Sequence, residues 1–181
     1  TLSEAEIAFV HDRVPVKTFE PGNTLLSEGE ISRAFYFVLD GCLRMYYLAG
    51  DEERTAFFYT EQQFVSSYES YTKQLPATHY IECVSACTVA VIGQDTAMAL
   101  LSQFPTFEIL ARIIMEEELS TYQEIMSTYI TLTPEQRYVR MQETNPALLQ
   151  RIPQYDLATY LGVKPESLSR IKKRIASKSV S

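Results

Sequence analysis

IPQYDLATYLGVKPESLSRIKKR, residues 152–174, sets small and apolar side chains at fixed intervals and then gathers cations toward the end of the chain. Counted from Gln154, positions 4, 8, 10, 15 and 18 are Leu157, Leu161, Val163, Leu168 and Ile171; position 5 is Ala158 and position 9 is Gly162. Two short helices that cross closely need a small residue where they touch and glycine at the turn between them. Pro165 suits the first turn of the second helix, where its missing N–H costs nothing. The pattern predicts a helix-turn-helix.

Such units also occur as plain packing, so the outer side of the second helix decides the function. It offers Lys164, Glu166, Ser167, Ser169, Arg170, Lys172, Lys173 and Arg174. A helix in the major groove needs hydrogen-bonding groups near its N-terminal turns and phosphate-binding cations around them. Glu accepts from the cytosine amino group, and Arg binds guanine bidentately. Glu166 and Arg170 are also spaced for a surface ion pair, which is compatible with base reading.

Charge supports a contact surface. The net charge is −7, yet residues 164–181 carry six Lys/Arg against one Glu, or +5. The first 163 residues hold ten basic and 22 acidic side chains, or −12. A basic end on an acidic body points to a polyanionic partner, with a solvated helix end as the plainer alternative.

Upstream, 46% hydrophobic content suffices for a packed core. Residues 1–14 predict a short helix capped by Ser3, with Ile7, Phe9 and Val10 to bury. From Pro15 to Gly93, β-favouring runs (VKTF, NTLLS, AFYFVL, CLRMYYLA, RTAFFYT, HYIECVS, CTVAVI) alternate with turn residues, predicting a sandwich or small barrel. DTAMALLSQF reads as a helix stopped by Pro105. A long helix follows, on which Met115, Leu119, Tyr122, Met126 and Tyr129 form a heptad seam. The seam can pair with a second copy of the chain or lie on its own barrel. Thr133 and Gln136 flanking Pro134 predict a capping-box restart, making 131–133 a hinge, and Asn145-Pro146 closes that helix. Cys42, Cys83 and Cys87 fit buried free thiols better than a metal or disulfide framework. No apolar run reaches membrane-span length and no signal peptide is visible, so the chain reads as cytoplasmic.

The whole chain resembles the Crp/Fnr superfamily of bacterial transcription regulators. FEPGNTLLSEGEISRAFYFVLDGCLRMYY looks like that family's effector β-roll, and DLATYLGVKPESLSRIKKRI aligns without gaps to the catabolite activator's helix-turn-helix. The resemblance implies an α+β chain: a double-stranded β-helix (jelly-roll) domain at 1–103, a dimerisation helix at 104–131 and a DNA-binding domain at 132–181. It puts Glu166 and Arg170 at base-reading positions, Ser167 at a backbone contact and Lys173 at a basic contact. Pro165 replaces a base-reading arginine, so the recognised sequence should differ. Only residues 177–181 follow the second helix, so the family's β-hairpin wing is expected to be missing. The dimer interface is expected through Met115, Leu119, Tyr122 and Met126, on double-stranded DNA with a two-fold symmetric site. RNA polymerase and an unidentified small effector are the further partners it implies.

In that family the β-roll clasps cyclic AMP with a Gly-Glu pair for the ribose and an Arg-Ser pair for the phosphate. Here Ser66 and Ser67 stand for the first pair and Ala77 and Thr78 for the second, so the arginine is missing. Tyr122 and Gln123 fall where the long helix would contact the adenine. Tyr68, Tyr71, Lys73, His79 and Tyr80 offer an aromatic, weakly polar lining instead. The pocket is therefore expected either to be filled by side chains or to take a different small molecule. The β-roll architecture is shared with cupin enzymes, but their metal needs two or three histidines. Only His79 lies in the barrel, so no catalysis, metal or cofactor is expected. The alternative to a regulator is a ligand-binding or scaffolding β-roll whose helix-turn-helix only packs.

Overall fold

A computed structural model describes residues 2–178. Helix α1 (Glu4–Arg13) starts with a capping box in which Ser3 accepts from the Glu6 N–H and Glu6 accepts from the Ser3 N–H at 2.6 Å. Phe9 packs edge-on against Phe104 at 5.3 Å. Ile7, expected to be buried, is exposed, because it lies two positions, about 200°, around the helix from Phe9.

Eight strands follow: β1 (Val16–Phe19), β2 (Thr24–Leu26), β3 (Ala34–Asp40), β4 (Leu43–Ala49), β5 (Glu52–Tyr59), β6 (Phe64–Val65), β7 (Tyr80–Cys83) and β8 (Cys87–Gly93). They form two four-stranded sheets of order β1-β8-β3-β6 and β2-β7-β4-β5, and every pairing is antiparallel. This is the expected β-roll. Val38, Leu43, Ile81 and Val89 are fully buried in its core. Cys42, Cys83 and Cys87 are free and buried, as their spacing suggested. Two elements of this domain escaped the sequence: β6, only two residues long, and α2 (Tyr68–Lys73). Lys73 ends α2 and pairs with Glu69 at 2.9 Å.

After α3 (Gln94–Gln103), Pro105 starts the 27-residue helix α4 (Pro105–Thr131). α5 (Pro134–Thr144) opens with the Thr133–Gln136 capping box. Asn145 ends α5 and also starts a helix that the sequence did not disclose. Its side-chain oxygen accepts from the Leu148 N–H and caps α6 (Pro146–Arg151). α7 (Gln154–Leu161) and α8 (Pro165–Lys178) complete the predicted unit. Gly162 between them has φ +69°, and a Cβ there would sit 3.1 Å from the Tyr129 hydroxyl. α8 continues through Ser177 and Lys178, beyond its expected end. The expected lack of a wing falls on residues 179–181, outside the described residues. Among the described residues, no single helix is long and apolar enough to cross a membrane.

Candidate nucleic-acid interface and effector cleft

Leu168 and Ile171 turn inward from α8 and share a core with Leu157, Ala158 and Leu161 of α7. That anchorage leaves Lys164, Glu166, Ser169, Arg170, Lys173 and Arg174 exposed, with Ser167 and Lys172 half-buried. The Glu166–Arg170 ion pair that the spacing allows is not formed. Arg170 instead donates Nη2–H to Ser167 Oγ at 3.0 Å, a partner one residue nearer along the same face. Two cations are tied down within the C-terminal helices. Lys172 donates to Gln154 Oε1 at 2.6 Å, with burial lowering its pKa, and Arg174 pairs with Glu135 on α5. Lys164 and Lys173 have no ion-pair partner among the described residues.

α7 has the opposite environment, because it docks on β5 of the chain's own roll. Arg44 donates to Asp156 Oδ1 at 2.8 Å and also pairs with Glu82 at 3.1 Å and Glu53 at 2.8 Å. Burial works against the Arg44 charge, but the three carboxylates outweigh it and raise its pKa. Burial raises the pKa of Asp156, opposed by Arg44. Thr55 and Thr159 share a 2.7 Å hydrogen bond, and Phe58 meets Tyr160 at 5.3 Å between ring centres. Beside α7, Arg151 donates two 2.8 Å hydrogen bonds to Glu61, whose carboxylate also accepts from the Gly41 N–H. Gly41 is obligatory there: its φ is +105° and a Cβ would lie 2.4 Å from the Ala86 carbonyl oxygen. The expected hinge is crossed by Arg137, which donates to the carbonyls of Tyr129, Leu132 and Leu161. None of these contacts was read from the sequence.

A cleft of about 1500 Å³ runs between the roll, α4 and the C-terminal helices. Of the residues expected at an effector pocket, Ser66, Ser67, Tyr68, Ala77, Thr78 and Tyr122 border it. Gln123 does not: one position past Tyr122 turns it about 100° around α4. Ala77 and Ser67 are buried. Of the further aromatic and basic candidates, Tyr71 packs on Phe35 at 4.4 Å and Tyr80 stacks on Tyr46 at 4.9 Å, so neither borders the cleft. His79 does border it, and burial lowers its pKa. Among the described residues, no group of three or more His, Cys, Asp or Glu side chains could hold a metal ion.

On α4 no residue is buried. Leu119 is 59% exposed and Met126 65%. Tyr122 is shared: its ring meets Phe57 edge-on at 4.7 Å, while more than a third of it remains exposed. Tyr129 also faces its own chain, under the Arg137 guanidinium at 4.3 Å.

Residues 16–104 match the family described as Cyclic nucleotide-binding domain. No curated protein matches the sequence. Among solved structures the chain is similar to CLP, the c-di-GMP-responsive global regulator of Xanthomonas campestris. The TM-score is 0.78 at 16% identity, over 98% of this chain and 93% of that one. It is also similar to FixK2 from Bradyrhizobium japonicum, with TM-score 0.76 at 14% identity over 92% and 86% of the two chains. A structure assigned to the Crp/Fnr family of transcriptional regulators, from Eubacterium rectale, gives TM-score 0.76 at 14% identity over 98% and 85%. These TM-scores, at identities this low, establish the shared fold alone.

Proposed function

We propose that this chain, which carries a cyclic nucleotide-binding domain and has the fold of the Crp/Fnr transcription regulators, is a homodimeric regulator that binds two-fold symmetric double-stranded DNA through α8. The observation that carries this reading is the division of α8 into an anchored apolar face and an exposed face bearing Lys164, Arg170 and Lys173. Such a face supplies both positioning contacts to phosphates and hydrogen bonds to base edges. The exposed seam of α4, with Leu119 and Met126 outward, supports pairing of two copies, which would present two α8 helices together. RNA polymerase and a small effector complete the proposed set of partners, and effector and DNA-binding units meet at the hinge bridged by Arg137.

The cyclic nucleotide-type domain carries Ala77 and Ser67 where the phosphate arginine and ribose glutamate are expected. Charge-assisted contacts contribute roughly 1.5–3 kcal/mol each. Losing two weakens a cyclic nucleotide by on the order of 10²–10⁴-fold. The pocket therefore senses a different small molecule or none. The experiment is selection of bound sequences from random DNA, followed by titration over a salt series. Enrichment of a palindromic site, with affinity falling steeply with salt, supports the proposal. Docking of α7 through the Arg44–Asp156 pair favours a second reading, a ligand-binding or scaffolding module whose helix-turn-helix only packs. Enrichment of no sequence and no salt-dependent binding would establish that reading instead.

A further inference from the structure

The helical unit that carries α8 is fastened to the rest of the chain at two separate places. The first is the end of α4, where Arg137 donates to the carbonyls of Tyr129 and Leu132 at 3.0 and 3.1 Å and to that of Leu161 at 2.7 Å. A cation suits this place, because the last carbonyls of α4 and α7 lack partners within their own helices. A joint at 131–133 held only there would leave the unit free to turn about it.

The second place is the roll. Arg44 of β4 reaches Asp156, and Thr55 of β5 shares a 2.7 Å hydrogen bond with Thr159. Glu61, just past β5, accepts two 2.8 Å hydrogen bonds from Arg151. The apolar side closes as well. Cys42 of the roll, fully buried, belongs to the same core as Leu157, Leu161 and Leu168, with Phe58 and Val84 packed against it. Turning the unit away would open that core and separate Asp156 from the buried Arg44. None of these ties uses the outer face of α8, where Lys164, Arg170 and Lys173 stay exposed.

In a two-fold dimer the separation and tilt of the two α8 helices decide which distance between half-sites fits. Each inserted base pair moves one half-site by about 3.4 Å and turns it by about 35°. A unit fixed at two places cannot follow such a shift, whereas one fixed only at 131–133 can. We propose that Arg44, Thr55 and Glu61, through Asp156, Thr159 and Arg151, are positioning residues that fix α8 and so select the half-site spacing this regulator accepts. This rests on the reading of α8 as the DNA-binding helix and adds the roll as the determinant of spacing.

Removing Arg44 would strand carboxylates and endanger the fold, so the test uses the other two ties in the full chain. Thr55→Cys with Thr159→Cys places two thiols where the hydroxyls stand 2.7 Å apart, and diamide should join them. The cross-linked protein should bind the selected palindrome as tightly as wild type and keep its spacing preference. Wild type should lose about tenfold in affinity when one base pair is inserted between the half-sites or removed. Glu61→Ala, Arg151→Ala and Thr159→Val together should shrink that difference below about threefold. The spacing preference is a ratio of affinities within one preparation, so a loss of folded protein does not move it. An unchanged preference in the triple variant would overturn the proposal. So would DNA binding lost on cross-linking and restored by dithiothreitol, which would make the docked position a resting state. Failure to cross-link would overturn it too, because α7 would then not rest on β5. Wild type that selects no palindrome while the cross-link still forms removes the regulator reading. Wild type that selects one spacing, shared by the triple variant, removes the positioning role alone.

Discussion

α7 and α8 satisfy one sequence pattern side by side, yet they meet opposite surroundings. α7 buries Asp156 and packs Thr159 and Tyr160 against the roll. α8 sends Arg170, Lys164 and Lys173 toward solvent while Leu168 and Ile171 hold it down. A helix that must be held needs partners for each polar group it buries. One that must bind another molecule keeps its charge away from its own fold. The contrast shows α7 docked on the roll and fits the recognition role proposed for α8, and it can be broken in several places.

The largest effect should come from removing the means by which two α8 helices act together. Leu119→Glu with Met126→Glu changes four side chains in a dimer, at about 1.5–3 kcal/mol each. Dimer dissociation should rise by on the order of 10⁴–10⁹-fold. Both residues are exposed within one chain, so folding should survive. Sedimentation at micromolar concentration should find monomers that no longer select a palindromic DNA site. A persistent dimer would place the interface elsewhere.

Next in size is the docking of α7. Arg44 is the cation among Asp156, Glu82 and Glu53, and its side chain is 6% exposed. Arg44→Ala would strand buried carboxylates, and breaking such a cluster costs about 3–5 kcal/mol. Urea unfolding should show a correspondingly lower midpoint. Loss below about 1 kcal/mol would mean that water reaches the cluster and α7 is not held by it.

Two substitutions on α8 should be smaller and distinguishable from each other. Arg170→Ala should cost about 1–3 kcal/mol per half-site on the selected DNA and relax preference at one base pair. Lys173→Ala should weaken all sequences alike and lower the salt slope by about one ion per half-site. Neither should move the unfolding midpoint by more than about 0.5 kcal/mol, because both side chains are exposed. Equal losses on all sequences with Arg170→Ala would remove its base-reading role.

How much of this was legible follows from sequence distance. Leu157, Ala158, Gly162 and Leu168 interact within about a dozen residues, so spacing alone disclosed the helix pair. The Thr133–Gln136 box is local in the same way. Arg44–Asp156 and Thr55–Thr159 join residues 112 and 104 positions apart, and spacing carries no trace of such a meeting. The cleft is intermediate. Alignment to a known pocket found Ser67 and Ala77, whereas the burial of both His79 ring nitrogens without a hydrogen-bond partner among the described residues emerged only from its three-dimensional surroundings. Gln123 lies off the cleft, because alignment reports a position along α4 and not its facing.

The smallest effect separates two carboxylates at the docked surface by the sign of their pH response. Glu61 is held down to about 2, chiefly by its hydrogen bonds from Arg151, with the Gly41 N–H assisting. Its unfolded pKa is higher, so its contribution is full above about pH 4.5 and fades as pH falls toward 2. Both partners are about a third exposed, so the pair is worth about 0.2–1 kcal/mol. Asp156 has the reverse shift: burial raises its pKa above 3.8. Its folded form holds a proton more tightly, so its contribution is present below about pH 3.8 and is lost as pH rises through the raised value. Wild type should therefore lose its stability margin over Glu61→Gln on acidification, and gain relative to Asp156→Asn over the window just above pH 3.8. Urea titrations of the three proteins from pH 7 to pH 3.5 measure both slopes. Slopes of the same sign would mean that α7 and its neighbour Arg151 are held by equivalent, solvent-screened pairs, which would undo the distinction between a docked helix and a free one.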